Sequence, residues 1–145
     1  MAITTAMCSS FKQELLGGTH DLDTDTIKVA LIKSSHSGTY GAATTNYSDV
    51  TGNSDEVTGT GYSAGGQNLG SANITLDGTT AIVDFADEVF STVTVSADGC
   101  IIYNASQSNK AIAVFDFGGT VASTAGDFTI QFPAAAASTA VIRIA

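Results

Sequence analysis

The sequence predicts an all-β fold, either an antiparallel β-sandwich or a jelly-roll-like barrel, with one short helix near the N-terminus. Two observations lead to this prediction. Apolar residues alternate with a period of two along most of the chain after residue 26, as they do on strands. Turn-forming residues, mainly Gly, Asn and Asp, separate these segments at short intervals. Such a pattern is typical of sandwiches and barrels, and residues 1–145 are predicted to form a single β-sandwich domain.

Residues 4–16 are predicted to form the helix. Met7, Phe11 and Leu15 recur at the spacing of one helix face, and two glycines end the pattern. A helix this short is marginal on its own, so its apolar stripe must be covered. The segment 1–18 is therefore expected to pack through these three side chains, either on the protein's own sheet or on a neighbouring subunit.

Strands are predicted from residue 27 onward. The first, 27–32, is expected to be heavily buried on one face. Residues 34–55 fit two interpretations, a long functional or mobile loop or a pair of weak edge strands. Asp77-Gly78 and Asp98-Gly99 are typical hairpin turns. The remaining strands are predicted at 56–62, 71–76, 80–85, 91–96, 99–104, 110–117, 127–132 and 139–144.

Several apolar rows on these strands are expected to line the core. They are Val93 and Val95, Ile101 and Tyr103, and Ile112, Val114, Phe115 and Phe117. Two cysteines, Cys8 and Cys100, fall in segments predicted to be apolar. They are expected to be buried, reduced thiols rather than a disulfide.

Composition excludes two classes of partner. Lys and Arg number 5 against 14 Asp and Glu, which gives a net charge of −9 and predicts repulsion from nucleic acid and from anionic lipid. No apolar run approaches the roughly 20 residues that a membrane-spanning helix needs. The N-terminus lacks the basic and apolar regions of a secretory signal, so the protein is expected to be made and used without export.

Candidate metal sites are weak. Asp21-x-Asp23-x-Asp25 resembles the opening of a calcium loop, but Thr26 stands where the turn glycine is needed and Ile32 where the bidentate Glu is needed. A solvated turn is the favoured interpretation. His20 and His36 have no Cys or His at ligand spacing and are expected to be solvated loop residues. No metal and no cofactor is predicted.

Candidate catalytic groups are equally weak. Asp84, Asp87 and Glu88 include carboxylates that resemble a glycosidase pair, but an acidic turn between strands is favoured because the chain has no Trp to line a sugar cleft. The glycines of 59–66 are expected to form turns or close backbone contacts, since no helix follows them to receive a dinucleotide. No nucleophile motif is present, so the sequence predicts a protein that is not an enzyme.

The sequence resembles a family of small virion structural proteins of tailed bacteriophages. The resemblance runs in order over nearly the whole chain. Its segments are AMCSSFKQELLGGTHD at 6–21, IKVAL at 27–31, EVTGTGYSAGG at 56–66, IIYN at 101–104, FDFGG at 115–119 and IQFP at 130–133. The chain departs from the family where a Trp is expected near Phe90 and an Arg near Asp98.

The resemblance implies a virion component, assembled in the host cytoplasm. Within that class we expect a head decoration or cement protein on the capsid surface, which bridges capsomers and stabilises the head. Its expected partners are the major capsid protein and further copies of itself, with a trimer as one form of the homo-oligomer. The alternative is a tail, fibre or host-recognition binding module of the virion, in which Tyr-containing loops bind a sugar or a receptor.

Overall fold

The computed structural model describes residues 2–70 and 72–145. Eight strands lie within these residues, and they form two antiparallel sheets. The strands are β1 Ala6–Met7, β2 Ile27–Lys33, β3 Gln67–Asn68, β4 Asn73–Asp77, β5 Thr80–Asp84, β6 Glu88–Asn104, β7 Lys110–Ile130 and β8 Ile142–Ile144. The helical segments are α1 Ser9–Leu16, α2 Ser48–Gly52 and a 3₁₀ turn, Ala105–Gln107. The predicted all-β, sandwich-like class is confirmed.

The larger sheet has five strands in the order β1-β7-β6-β2-β3, and the smaller has three in the order β4-β5-β8. The long antiparallel pair of β6 and β7 forms the centre of the larger sheet. Residues 101–104 and 111–114 are buried without alternation, so both faces of the pair are covered there. This explains why continuous apolar runs, and not strict alternation, occupy the middle of these strands.

The hairpin predicted at Asp98-Gly99 is wrong. β6 continues through this point with a bulge at Asp98, because the apolar residues on either side pair with β2 and β7 and not with each other. Gly99 is needed for a different reason. A Cβ at this position would lie 2.3 Å from the carbonyl oxygen of Phe115, so only glycine allows β7 to approach this closely. The predicted strands 91–96 and 99–104 are therefore one strand.

The strands predicted at 110–117 and 127–132 are also a single strand, β7. The Gly118-Gly119 pair lies in a bulge of β7, opposite Asp98, and does not end the strand. By contrast, the predicted turn at Gly78 is confirmed, because Asp77 and Thr80 pair across a two-residue connection that begins with Gly78 at φ 63°. The predicted strand 71–76 corresponds to β4. Its first residue, Ser71, lies outside the described residues. Met1, the first residue of the predicted segment 1–18, also lies outside them.

The predicted helix 4–16 is too long. Helix α1 begins at Ser9, and the extended residue Cys8 precedes it as the N-cap without a side-chain cap bond. The preceding residues form β1 instead, because their backbone groups pair with the edge of β7: Ala6 with Val114 and Met7 with Ala113. Met7 therefore lies on a strand and not on the helix.

Two further predictions are wrong in detail. Residues 56–62 form no strand, and only Glu56 bridges to Ile32. Residues 34–55 are not edge strands, since they contain α2 and two isolated bridges, Ile3 to Tyr40 and Asn46 to Lys110.

One apolar core joins the two sheets. The small sheet contributes Val83 and Ile142, and the larger sheet contributes most of the rest. Six residues of the predicted core rows are buried, namely Val93, Val95, Ile101, Tyr103, Ile112 and Val114. Phe115 and Phe117 are half-buried at the margin of the core. Cys8 and Cys100 are buried free thiols, as predicted.

We expect both thiols to be inert in the folded protein. Burial raises the pKa of each to about 12, and at Cys8 the charges of Asp49 and Glu14 add to this effect. Because the thiolate is the reactive form, an alkylating reagent near neutral pH should label neither site until the protein is unfolded, and then label both. Mass spectrometry of native and unfolded samples measures this, and a disulfide or a rapidly labelled native thiol would contradict it.

Phe11 anchors α1, since its side chain is fully buried. Phe11→Ala should lower the free energy of unfolding by about 3–5 kcal/mol, because it removes a buried ring and leaves a cavity. Leu16→Ala on the same helix is the control. Leu16 is 93% exposed, so its truncation should change the stability by no more than about 0.5 kcal/mol. Urea unfolding of the two variants measures both effects, and equal stabilities would show that α1 does not dock as described.

Candidate functional site

A buried carboxylate organises the connection between β2 and α2. Asp55 accepts hydrogen bonds from the backbone N–H groups of Ser37 and Gly38 at 2.9 and 2.8 Å. The hydroxyl of Tyr40 donates to the same carboxylate at 2.6 Å, and Lys33 Nζ lies 3.8 Å from it. Burial alone would raise the pKa of Asp55, but these hydrogen bonds and the charge of Lys33 outweigh it, so this pKa lies below its usual value.

The adjacent carboxylate, Glu56, orders the segment that follows it by accepting hydrogen bonds in the same way. Glu56 accepts from the hydroxyl groups of Tyr47 and Tyr62, the latter at 2.8 Å, and from the N–H of Gly65 at 2.6 Å. The ring of Tyr47 stacks on Tyr103 with centroids 4.5 Å apart, and the Tyr103 hydroxyl donates to the Gly65 carbonyl. Burial, aided by the charge of Glu56, raises the pKa of Tyr103 to about 12 and raises the pKa of Tyr47 and Tyr62 as well. These tyrosines are structural donors.

A third polar network lies at the end of β6. The side chain of Asn104 is fully buried and donates to Asp25 at 2.7 Å, and its amide lies 3.0 Å from His20 Nδ1. His20 Nε2 lies 3.3 Å from Glu14, which also pairs with Lys110 at 3.0 Å. The hydrogen bond from Asn104 lowers the pKa of Asp25. The expectation that His20 is solvated is therefore wrong, because it is enclosed between α1 and the β6 terminus.

His36 is also largely enclosed, so the expectation that it is solvated is wrong too. Its Nδ1 lies 3.2 Å from the Lys33 carbonyl and 3.6 Å from Asp98, and its side chain is 10% exposed. Nε2 is buried and makes no hydrogen bond with the described residues.

The remaining motifs have structural roles in the fold. Asp21, Asp23 and Asp25 form the predicted turn before β2, where the Asp21 N–H donates to the Asp25 carboxylate at 3.1 Å. Asp87, in the connection between β5 and β6, accepts from the Phe132 N–H at 2.9 Å. A Cβ on Gly59 would lie 2.0 Å from the Thr94 carbonyl oxygen, which agrees with the predicted close backbone contact.

Residues 2–70 and 72–145 contain no group of three His, Cys, Asp or Glu side chains that could hold a metal ion. Nor do they contain a helix long and apolar enough to cross a membrane.

The three side chains predicted as a packing or partner contact lie against the protein's own core. Phe11 is fully buried, and its ring centroid lies 4.9 Å from that of His20. Met7, on β1, and Leu15, on α1, are half-buried and pack against the same cluster. The structure therefore shows contacts within the subunit at all three residues.

An exposed apolar surface lies elsewhere, on one face of the small sheet. In the register of β4, β5 and β8, Ile74 lies in one row with Val83 and Ile142, and Leu76 lies in the next row with Ala81 and Ile144. Because rows two residues apart share a face, all six side chains point to the same side. Val83 and Ile142 enter the core, whereas three of the others extend beyond it, with exposures of 49% for Ile74, 73% for Leu76 and 50% for Ile144. We define Ile74, Leu76 and Ile144 as the small-sheet patch.

The opposite face of the small sheet is partly covered. Ile82 is buried there, and the segment 134–140 is fastened nearby, since Asp77 accepts from the Ala137 N–H at 2.6 Å and Arg143 donates to the Ala137 carbonyl at 3.1 Å. The outer edge of β4 is uncovered. All five residues of β4 are exposed, and no strand among the described residues pairs with that edge.

The small-sheet patch was missed at the sequence level. The alternation of Ile74 and Leu76 before a Gly turn predicted a strand, but such a pattern usually marks a face turned to the core. That this face leaves the core depends on the separation of the small sheet from the larger one, which the local pattern does not encode.

The chain was compared with protein families, with curated proteins and with solved structures. None of the three finds a match.

The Asp55 network yields a testable prediction. Asp55→Asn should lower the free energy of unfolding at pH 7 by about 1–3 kcal/mol, because an amide cannot accept from all the buried donors at once. The pKa of Asp55 in the folded protein lies below the value of about 3.9 for an unfolded chain, so its contribution is present above about pH 4 and is lost as the pH falls through the folded-state pKa. The gap between wild type and variant should therefore narrow in acid.

Asp23→Asn is the matched control, because it removes the same charge from an exposed turn. It should leave stability within about 0.5 kcal/mol of wild type at either pH. Urea denaturation at neutral and acidic pH measures all three proteins. If Asp55→Asn matches its control at pH 7, the carboxylate does not hold the connection in place.

Proposed function

We propose that this protein is a non-enzymatic virion structural protein of a tailed bacteriophage that binds the assembled head and ties neighbouring capsomers together. The observation that carries the proposal is the small-sheet patch beside an uncovered strand edge. A surface of this kind suits association with protein, because it offers both apolar side chains and unpaired backbone groups.

The resemblance to phage virion proteins supports the same role. It extends over segments that the structure places in both the core and the connections, including 6–21 and 101–104. The net charge of −9 also suits a protein that covers a DNA-filled shell, because it disfavours attachment to nucleic acid.

The internal use of polar groups argues for a structural role over a chemical one. His20 and Asp25, which sequence analysis considered for metal binding, hydrogen-bond within the fold. Their donors and acceptors are used to fix loops and helix α1 to the sheet. We therefore assign the protein no reaction.

The alternative role in a tail or a host-recognition fibre receives less support. It relied on tyrosines in the loops to bind a sugar or receptor, and Tyr40 and Tyr47 instead donate to Asp55 and Glu56. An open groove of about 460 Å³ lies beside β6, and most of its lining residues are Ser and Thr, with no aromatic side chain among them. Sugar sites usually provide such a stacking surface.

Binding to heads tests the proposal. Purified protein should saturate expanded heads that lack it, in many copies per particle, and should raise their resistance to heat. Binding should persist in moderate salt, because apolar and backbone contacts are screened less than exposed ion pairs. Quantitative electrophoresis of sedimented heads measures occupancy, and cryo-electron microscopy locates the copies.

A matched pair of variants links binding to the small sheet. Leu76→Lys places a charge in the patch and should reduce occupancy, whereas Val121→Lys adds the same charge to an exposed position on β7 and should not. Attachment only to isolated tails, at a few copies per particle, would overturn the proposal in favour of the tail alternative.

A further inference from the structure

The uncovered edge of β4 is unusual among the strand edges of the described residues. β1 and β3 have two residues each, β8 has three, and the outer parts of β6 and β7, which no third strand covers, are interrupted by bulges, including the one at Gly118-Gly119. Short or bulged edges resist pairing with other chains. β4 has five residues in unbroken register with β5, and it contains neither Lys nor Pro, the residues that usually protect an edge.

The hairpin register fixes which backbone groups of β4 face outward. Asp77 and Thr80 flank the two-residue turn and form the hydrogen-bonded pair that closes it. Pairs then alternate along the ladder, so Thr75 also bonds to β5, while the N–H and C=O groups of Ile74 and Leu76 point away from it. These two residues therefore carry both the free backbone groups and the exposed apolar side chains.

We propose that β4 pairs antiparallel with β4 of a second copy of this chain, about a two-fold axis at Thr75. The inference deepens the proposed function, on which it rests for its biological role, by naming the occupant of the uncovered β4 edge. In this register Ile74 of one copy lies opposite Leu76 of the other. These two residues form a hydrogen-bonded pair, in which each N–H donates to the carbonyl of the opposite residue. The two small sheets become one continuous sheet with a single apolar face.

The sequence of β4 is self-complementary in this arrangement. Reversing the strand about Thr75 places apolar opposite apolar, and it places Asn73 opposite Asp77. The single charge on the strand thus faces a side-chain amide that can donate to it, and not a second carboxylate. A register centred on Ile74 or on Leu76 leaves part of the strand unpaired, whereas the register centred on Thr75 pairs all five residues.

The net charge of −9 on each copy opposes this association over longer distances. Because salt screens that repulsion but barely affects backbone and apolar contacts, pairing should strengthen as salt is raised. An ionic contact would show the opposite dependence. Sedimentation velocity of the intact protein without heads, over a range of concentrations and salt, should show a species of twice the chain mass that increases with both.

A cysteine placed on the two-fold axis tests the register. Thr75 would face its own copy as a non-hydrogen-bonded pair, with Cα atoms about 4.5 Å apart, which suits a disulfide. Thr75→Cys should therefore form a covalent dimer on mild oxidation. Asn73→Cys is the control, because the two copies of residue 73 would lie roughly 14 Å apart and should remain unlinked. The native cysteines are buried in both variants.

Leu76→Lys should abolish the dimer in sedimentation, and Val121→Lys should leave it unchanged. Absence of dimer at every concentration, or equal cross-linking of the two cysteine variants, would overturn the pairing. The outcomes separate the two proposals. Head binding without self-association contradicts only the pairing, whereas self-association without head binding contradicts only the role on the head.

Discussion

The fold depends on the pairing of β6 with β7. One edge of this pair receives β2 and the other receives β1, and α1 packs against β7. The small sheet joins the same core through Val83 and Ile142. Both faces of the pair are covered around Ile102 and Ala113, so the middle of the pair is buried from solvent on both sides. The ribbon therefore positions β1, α1 and β2 directly, and β3 joins the sheet through β2.

Two buried carboxylates order the long connection between β2 and β3. This segment has few large apolar residues, so packing alone cannot fix it. Asp55 and Glu56 instead collect backbone and tyrosine donors from several points along it. Since a buried charge is costly unless its hydrogen bonds are made, only the native arrangement of these loops satisfies both groups together. A chain in which only 13% of residues are charged uses two of its carboxylates for internal order.

The sequence predicted the fold class, strand β2, the β4-β5 hairpin and most of the core, because period-two alternation and a Gly turn are local signals. It failed where the outcome depended on distant partners. Asp98-Gly99 has the composition of a turn, yet β2 and β7 hold it within one strand. Residues 4–7 fit a helical period, yet the free edge of β7 draws Ala6 and Met7 into a strand. Likewise, no local pattern shows that Asp55 and Glu56 are enclosed, or that Ile74 and Leu76 are not.

The connectivity of the sheets has a consequence for the order of folding. The β6-β7 ribbon is closed by a tight connection at residues 105–109, so it can form as a local hairpin. The pairing of Ala6 with Val114, however, must close a loop that contains most of the chain, and contacts of such large sequence separation form slowly. The third strand of the small sheet, β8, follows the other seven strands of the described residues in chain order. We therefore expect a nascent chain to form its central ribbon before either the N-terminal strand or the small sheet is complete.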